Sequence, residues 1–362
     1  MLRPKPNIEQ LAPSTHGGID YRELERLGIS PASVLDFSVS SNPFGPPPGI
    51  TEALCRASIA DYPDTEATEL RRALSRKLNT VTDNLIIGSG STELIRLVAL
   101  AYFGPGDSVL VPEPTYGDYE TACRLVGAQV LKQPVREESG FRLDIVETLA
   151  LVGKHQPRGI FLCNPNNPTG QYLSREEVEQ ILSAAGDSLL VLDEAYIAFT
   201  QNTWPSLDLI ERGNLVIVRS MTKDYALAGL RLGYAISAEP IISVLKRVRP
   251  PWNVSSMAQQ AGILALQADA YLESCQSKIQ EAKEFLVSEL TALGLPPIAS
   301  RTNFFLVKVG GAAQMRQSLL KRGMLVRDCA SFGLPGYIRL APRTLPECQR
   351  LIKAIKEVHH AG

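Results

Sequence analysis

One lysine in the second half of the chain stands among side chains that together suit a phosphate. Ser220 and Thr222 precede Lys223 at short spacing, and Arg231 follows eight positions later. Hydroxyl donors and a planar guanidinium are the groups that bind a phosphate monoester. A lysine beside such a pocket can form a Schiff base with an aldehyde. The cluster therefore predicts a cofactor that carries both an aldehyde and a phosphate, although an exposed loop is the commoner interpretation of a lysine taken alone.

Three more side chains have types that suit such a cofactor. Asp193 ends an apolar run thirty residues before Lys223. A carboxylate favours the protonated form of a nearby ring nitrogen, which lets the ring accept electrons from a substrate α-carbon. Asn167 and Tyr196 can each donate a hydrogen bond to a ring oxygen. Taken singly, Asp193 is equally consistent with a strand-end cap and Asn167 with an ordinary Pro-rich turn.

A glycine- and hydroxyl-rich segment gives a second candidate phosphate contact. Gly90, Ser91 and Thr92 open a predicted helix, whose free N–H groups and dipole suit an anion. Tyr116 can stack on a planar ring, with a core aromatic as the alternative. The four histidines lack metal-ligand spacing, and no nucleophilic Ser/His/Asp order, Walker motif or dinucleotide motif is found.

The elements that must position these groups follow an alternating pattern. Apolar strands near 85–87, 108–111, 159–163, 189–192 and 215–218 are separated by predicted helices, which favours a mostly parallel sheet covered on both faces. Ligands bind beyond the carboxyl ends of such strands, where Asp193 and Lys223 fall. Beyond a Pro-rich boundary the parallel rhythm stops. The predicted division is an N-terminal segment (1–48), a large domain (49–248) and a small α+β domain (249–362).

Composition excludes several classes of protein. The 362 residues are 44% hydrophobic, and 37 Lys+Arg against 38 Asp+Glu leave a net charge of -1, which argues against a nucleic-acid partner. No apolar run approaches the roughly 18 residues of a membrane span. Six scattered cysteines and an N-terminus without a signal-like apolar core predict a cytoplasmic protein. A non-enzymatic alternative is a domain that senses an effector and is fused to a DNA-binding module. It is disfavoured because no helix-turn-helix segment precedes residue 50.

Taken in order, these segments resemble the pyridoxal-phosphate enzymes with the aspartate-aminotransferase fold. The match covers nearly the whole chain and also includes Asn42-Pro43, Tyr62-Pro63-Asp64, Asn303-Phe304 and Ile338-Arg339. The resemblance implies an α/β fold with a mostly parallel sheet sandwiched by helices, plus a smaller α+β domain. It implies that Lys223 carries pyridoxal 5'-phosphate, that Asp193 pairs with the pyridine nitrogen, and that Asn167 and Tyr196 hold the ring oxygen. It also implies that Tyr116 lies over the ring and that the phosphate ligands are Gly90, Ser91, Thr92, Ser220, Thr222 and Arg231.

The resemblance extends to the substrate and the assembly. Arg339 is similar to the family's arginine for the substrate carboxylate, and the substrate is expected to be a small phosphorylated amino acid. The expected substrate-binding residues are His16, Gly17, Asn42, Asn167, Arg327 and Arg339. Tyr62 would reach the cofactor of a neighbouring subunit, so a homodimer is implied.

Two groups within this family compete as the nearest match. The segments Thr15-His16-Gly17-Gly18, Pro250-Pro251-Trp252-Asn253-Val254 and 327–339 resemble threonine-phosphate decarboxylases. They predict decarboxylation of L-threonine O-3-phosphate to (R)-1-aminopropan-2-yl phosphate for cobalamin biosynthesis. The segment 114–119 is closer to histidinol-phosphate aminotransferases, which leaves transamination with 2-oxoglutarate as the alternative.

Overall fold

The computed structural model describes residues 2–9, 11 and 15–359. The helices in these residues are α1 (Pro6–Glu9), α2 (Tyr21–Leu27), α3 (Ile50–Leu54), α4 (Thr68–Leu78), α5 (Ser91–Tyr102), α6 (Asp118–Leu125), α7 (Ile145–His155), α8 (Arg175–Ala185), α9 (Glu239–Val248), α10 (Ser256–Ala265), α11 (Asp269–Ala292), α12 (Ala312–Leu320) and α13 (Leu345–His359). The strands are β1 (Leu35–Asp36), β2 (Leu85–Gly88), β3 (Ser108–Glu113), β4 (Gln129–Pro134), β5 (Gly159–Cys163), β6 (Leu189–Asp193), β7 (Leu215–Ser220), β8 (Gly233–Ser237), β9 (Phe305–Lys308), β10 (Met324–Leu325), β11 (Arg327–Asp328) and β12 (Tyr337–Leu340).

A seven-stranded sheet forms the larger part of the structure. Its order is β2-β8-β7-β6-β5-β3-β4, and every neighbouring pair is parallel except the two that involve β8. Successive residues of a strand face opposite sides, so Leu190 and Leu192 join one hydrophobic cluster while Val191 joins the other. Helices α4, α7, α8 and α10 cover the first face, and α5, α6 and α9 cover the second. The predicted α/β fold with a mostly parallel sheet is therefore confirmed.

A smaller antiparallel sheet, β11-β12-β9, packs with α11, α12 and α13 around a separate hydrophobic cluster. The N-terminal part of the chain joins this region, because β1 pairs in parallel with β10 and Phe37 is fully buried in the same cluster. The separate small α+β sheet agrees with the prediction. The exact domain limits at 48/49 and 248/249 stay a prediction.

Two elements differ from what the sequence pattern predicts. Residues 256–292 form two helices where the sequence shows no break, because the chain turns at 266–268 without a glycine or proline. Strand β4 has no continuous apolar run, since it lies at the sheet edge and exposes Gln129 and Lys132. None of the helices within 2–9, 11 and 15–359 combines the length and apolar character needed to cross a membrane.

Close packing of β5 generates a stability prediction. A Cβ at Gly159 would lie 2.3 Å from Cζ of Phe103, so Gly159→Ala forces the ring or the strand to move. We expect a loss of about 1–3 kcal/mol in the free energy of unfolding, measured with urea. Gly153→Ala is the matched control: this glycine is exposed on α7 with no atom within 4 Å of a new Cβ, so a gain of up to ~1 kcal/mol is expected. Equal losses in both variants would contradict this packing argument.

Candidate active site

A cavity of about 870 Å³ opens at the edge of the large sheet where β2, β3, β5, β6 and β7 end. This is the position expected for ligands of a parallel sheet. Ten of the predicted site residues line it together: His16, Gly17, Thr92, Tyr116, Asn167, Tyr196, Lys223, Arg231, Arg327 and Arg339. Residues from the N-terminal segment, the large sheet and the small sheet therefore meet in one space.

The lysine loop leaves the end of β7 and is held from both sides of Lys223. The Ser220 and Thr222 hydroxyls lie 2.6 Å apart, immediately before the lysine. Asn42 donates its backbone N–H to the Lys223 carbonyl (2.8 Å) and its side-chain amide to the Asp224 carbonyl (3.0 Å). Asn42 is thus placed against the loop backbone, and its predicted substrate contact stays a prediction. The Lys223 Nζ projects over the Tyr196 ring, 5.7 Å from its centroid.

The predicted phosphate contacts come together at the N-terminus of α5. Gly90 has φ +79°, and a Cβ there would lie 2.7 Å from Nη2 of Arg231, so the missing side chain makes room for the guanidinium. A Cβ on Gly233 would lie 2.8 Å from the backbone N of Ser91, and Gly233 pairs with Ser220 across β8 and β7. Free N–H groups, hydroxyls and a cation thus converge, which fits a phosphate group.

Asp193 lies at the end of β6, where its side chain is buried. Its Oδ2 accepts a hydrogen bond from the Tyr119 hydroxyl (2.7 Å) and its Oδ1 accepts one from the Ala195 N–H (2.9 Å). Burial raises the pKa of Asp193 to about 6, although both hydrogen bonds and the charge of Lys223 oppose that rise. A buried carboxylate of this kind fits a protonated ring nitrogen as its partner. Sequence analysis missed Tyr119, because a fully buried tyrosine on a helix is indistinguishable from a core aromatic.

The turn after β5 orients Asn167. Asn164-Pro165 and Asn167-Pro168 are cis, and Gly170 (φ +69°) is packed against Ser300. Arg339 donates one hydrogen bond to Oδ1 of Asn167 and another to the Ser38 carbonyl (2.8 Å). Because the amide oxygen of Asn167 accepts from Arg339, its NH₂ group is left to donate, as the predicted contact with a ring oxygen requires.

The N-terminal segment forms one wall of the cavity. Arg327 donates to the backbone carbonyls of His16 (2.9 Å) and Thr15 (2.8 Å), and to the Ser331 hydroxyl. Gly17 lies against Ser38, where a Cβ would approach the carbonyl oxygen to 2.7 Å. Arg327 therefore fixes the backbone of this wall, in addition to lining the cavity.

Tyr62 is placed differently from the other candidates. Its side chain is 77% exposed, lies outside the cavity lining and stacks on Trp252 with ring centroids 4.4 Å apart. Its predicted contact with a neighbouring subunit stays a prediction.

Fold and site together define a pyridoxal-phosphate enzyme of the aspartate-aminotransferase fold. Residues 32–355 match the family model "Aminotransferase class I and II", so the chain belongs to this family and its cofactor is pyridoxal phosphate. It is 35% identical over 350 residues to a histidinol-phosphate aminotransferase of Moorella thermoacetica, covering 94% of this chain and 89% of the relative.

Solved structures agree on the fold. A histidinol-phosphate aminotransferase from Sinorhizobium meliloti in complex with pyridoxal-5'-phosphate has a TM-score of 0.89 at 27% identity, covering 100% of this chain and 98% of the other. An L-threonine-O-3-phosphate decarboxylase from Porphyromonas gingivalis has a TM-score of 0.80 at 28% identity, covering 90% and 99%.

The prediction of a threonine-phosphate decarboxylase in cobalamin biosynthesis is wrong. The relatives that share about 35% identity over most of the chain are histidinol-phosphate aminotransferases, including one from Akkermansia muciniphila at 34% over 336 residues. The segments behind the decarboxylase prediction have structural contacts of their own, and His16, Gly17 and Arg327 also line the cavity. Trp252 stacks on Tyr62 outside the cavity, and Arg327 donates to backbone carbonyls. Short motifs of this kind therefore did not report on the reaction.

A buried ion pair beneath the lysine loop generates a second stability prediction. Arg219 on β7 donates through Nε and Nη2 to one oxygen of Glu194, both at 2.8 Å, and the Glu194 side chain is 2% exposed. Glu194→Ala leaves the guanidinium without its counter-charge, so we expect a loss of about 3–5 kcal/mol in the free energy of unfolding.

The matched control is Glu357→Ala, which breaks an exposed pair with Arg322 (3.2 Å) and is expected to cost about 0–1 kcal/mol. Denaturant unfolding of both variants measures the difference. A Glu194 variant as stable as the Glu357 variant would show that the buried pair does not hold β6 and β7 together.

Proposed function

We propose that this chain is a pyridoxal-phosphate aminotransferase that removes the amino group of histidinol phosphate and delivers it to 2-oxoglutarate. The observation that supports this substrate most directly is the 35% identity, over 94% of the chain, to a histidinol-phosphate aminotransferase. Two buried arginines support an anionic substrate. Among the described residues, Arg327 and Arg339 donate only to carbonyl and hydroxyl oxygens and form no ion pair with a carboxylate. A phosphate or carboxylate would supply the missing counter-charge.

The site residues fit the cofactor in the following way. Bound pyridoxal phosphate supplies an aldehyde and an electron-withdrawing ring. Lys223 would hold the aldehyde carbon, Asp193 would pair with the pyridine nitrogen, and Asn167 and Tyr196 would donate to the ring oxygen. The residues proposed to hold its phosphate are Gly90, Ser91, Thr92, Ser220, Thr222 and Arg231, with Tyr116 over the ring.

Lys223 also has the position of a general base. Its amine projects into the same cavity as Arg339 and Asn167. As a base, Lys223 Nζ would take the proton from the substrate α-carbon, hold it and release it again later in the amino transfer. Arg339 holds the anionic group of the substrate, and its bond to Asn167 fixes that group relative to the ring oxygen contact.

Incubation of the protein with histidinol phosphate tests the proposal. We expect glutamate to form only when 2-oxoglutarate is present, and Lys223→Ala to lower the rate by roughly 10³-fold or more, because the base is removed with the anchoring amine. Borohydride should fix the cofactor covalently to the wild type and not to this variant. Lys154→Ala, at an exposed lysine of α7, is the control and should behave as wild type. Keto-acid-independent release of carbon dioxide from threonine phosphate, with histidinol phosphate inert, would contradict the proposal.

We further propose a homodimer in which Tyr62 contacts the cofactor of the other subunit, since Tyr62 is exposed and lies outside the cavity of its own chain. Tyr62→Phe keeps the stack on Trp252 and removes the hydroxyl. Mixing it with Lys223→Ala should restore about a quarter of wild-type activity, because random reassortment makes half of the dimers hybrid, each with one intact site. Cross-linking each homodimer before mixing is the control and should prevent recovery. Full activity of a monomer in sedimentation would refute shared sites.

A further inference from the structure

Tyr119 is a buried polar side chain next to the site to which the mechanism above gives no role. It lies at the start of α6, is fully buried, and its hydroxyl is 2.7 Å from Oδ2 of Asp193. Burial raises the pKa of Tyr119 well above its ordinary value, so the phenol stays protonated and must be the donor in this bond. The other carboxylate oxygen is occupied by the Ala195 N–H.

The ring of Tyr119 is held in one orientation by two aromatic contacts. It stacks on Phe161, with centroids 4.8 Å apart and an interplanar angle of 9°, and it meets Tyr116 edge-on at 5.6 Å. Because the ring is held in place, the position of its hydroxyl does not depend on the carboxylate. The hydrogen bond can therefore orient the carboxylate. Packing alone does not require the hydroxyl, because a phenylalanine would fill the same space.

We infer that Tyr119 is a positioning residue: its hydroxyl keeps the Asp193 carboxylate ionised and turned toward the ring nitrogen of the cofactor. This inference rests on the role proposed above for Asp193. It adds that a residue of α6, which does not touch the substrate, lowers the pKa of Asp193 against the effect of burial.

The charged groups around Asp193 shift its pKa in opposite directions, and the other titratable groups there are neutral. Glu194 next in the chain raises the pKa of Asp193, and Lys223 lowers it. The Cys163 thiol on β5 also lies near, but burial raises its pKa to about 12, so it is neutral. The Tyr116 hydroxyl is likewise neutral, because burial raises its pKa. Removing the Tyr119 hydroxyl therefore changes the pKa of Asp193 without adding or removing a charge.

The test is the pH dependence of pyridoxal-phosphate binding to the apoprotein, followed by absorbance from about pH 5.5 to 8.5. Burial places the pKa of Asp193 at about 6. Affinity should be high above that pKa, where the carboxylate is ionised, and should fall as pH drops through it. Tyr119→Phe raises the pKa of Asp193 further, so the fall of affinity at low pH (the acid limb of the binding profile) moves to higher pH. A one-unit shift gives about fivefold weaker binding near pH 6, because the ionised fraction falls from about one half to about one eleventh, and nearly unchanged binding at pH 8.5.

Comparison with wild type removes the cofactor's own titration from the result. Tyr337→Phe, at a buried tyrosine of the small sheet, controls for loss of a buried hydroxyl elsewhere. Site-specific 3-fluorotyrosine at position 119, a stronger donor of nearly the same shape, should shift the limb to lower pH and tests the inference even where Tyr119→Phe folds poorly.

Asp193→Asn separates this inference from the proposed function. An unchanged acid limb in Asp193→Asn would overturn the proposed role of Asp193 itself. If that variant loses the limb while Tyr119→Phe superimposes on wild type, only the inference on Tyr119 is overturned. Equal weakening by Tyr119→Phe at every pH would show a packing role alone and would also overturn it.

Discussion

The parallel register of three central strands is the constraint on which the site depends. Cys163, Asp193 and Val218 lie side by side on β5, β6 and β7, so the three strands end at nearly the same level. The pairing continues past the strand ends, because Asn164 N–H donates to the Asp193 carbonyl and Glu194 N–H to the Val218 carbonyl. The turn with Asn167, the segment with Asp193 and the loop with Lys223 therefore leave one edge together. A slip of one residue in either pairing would turn these side chains to the opposite face.

The small sheet and the N-terminal segment complete the cavity through arginines. Arg327 holds the carbonyls of residues 15 and 16, while Arg339 holds the Ser38 carbonyl and Asn167. Each arginine therefore connects the small sheet to a separate part of the chain. A buried guanidinium bound to neutral oxygens still needs an anion nearby. The contacts that assemble the cavity therefore also make it favourable for an anionic substrate.

Much of this arrangement could be predicted from the sequence, because its signals are local. Branched apolar runs predict the strands, and Ser174 with Glu177 forms the capping box that starts α8. The family motifs placed Lys223, Asn167 and Arg339 in one cavity. Contacts that join distant segments could not be predicted. The bond from Tyr119 to Asp193 spans 74 positions, and the bonds from Arg327 to the N-terminal segment span more than 300. Nothing in residue type or spacing marks such partners.

The same distinction explains why the cofactor was predictable and the reaction was not. The cofactor was predictable because a lysine, a carboxylate and a phosphate-type segment occur together in the family's order, although none of them is specific when taken alone. The reaction depends on which α-carbon bond of the substrate is held perpendicular to the cofactor ring, since that bond is the one weakened. Under the proposed roles, the hydrogen bond from Arg339 to Asn167 joins the residue that would hold the anionic group of the substrate to the residue that would contact the ring oxygen, so this bond would set the orientation. A displacement of that contact by about 1 Å is enough to matter for catalysis. Motifs shared by transaminases and decarboxylases carry no information at that scale, so the preference for transamination rests on 35% identity over 94% of the chain to a histidinol-phosphate aminotransferase.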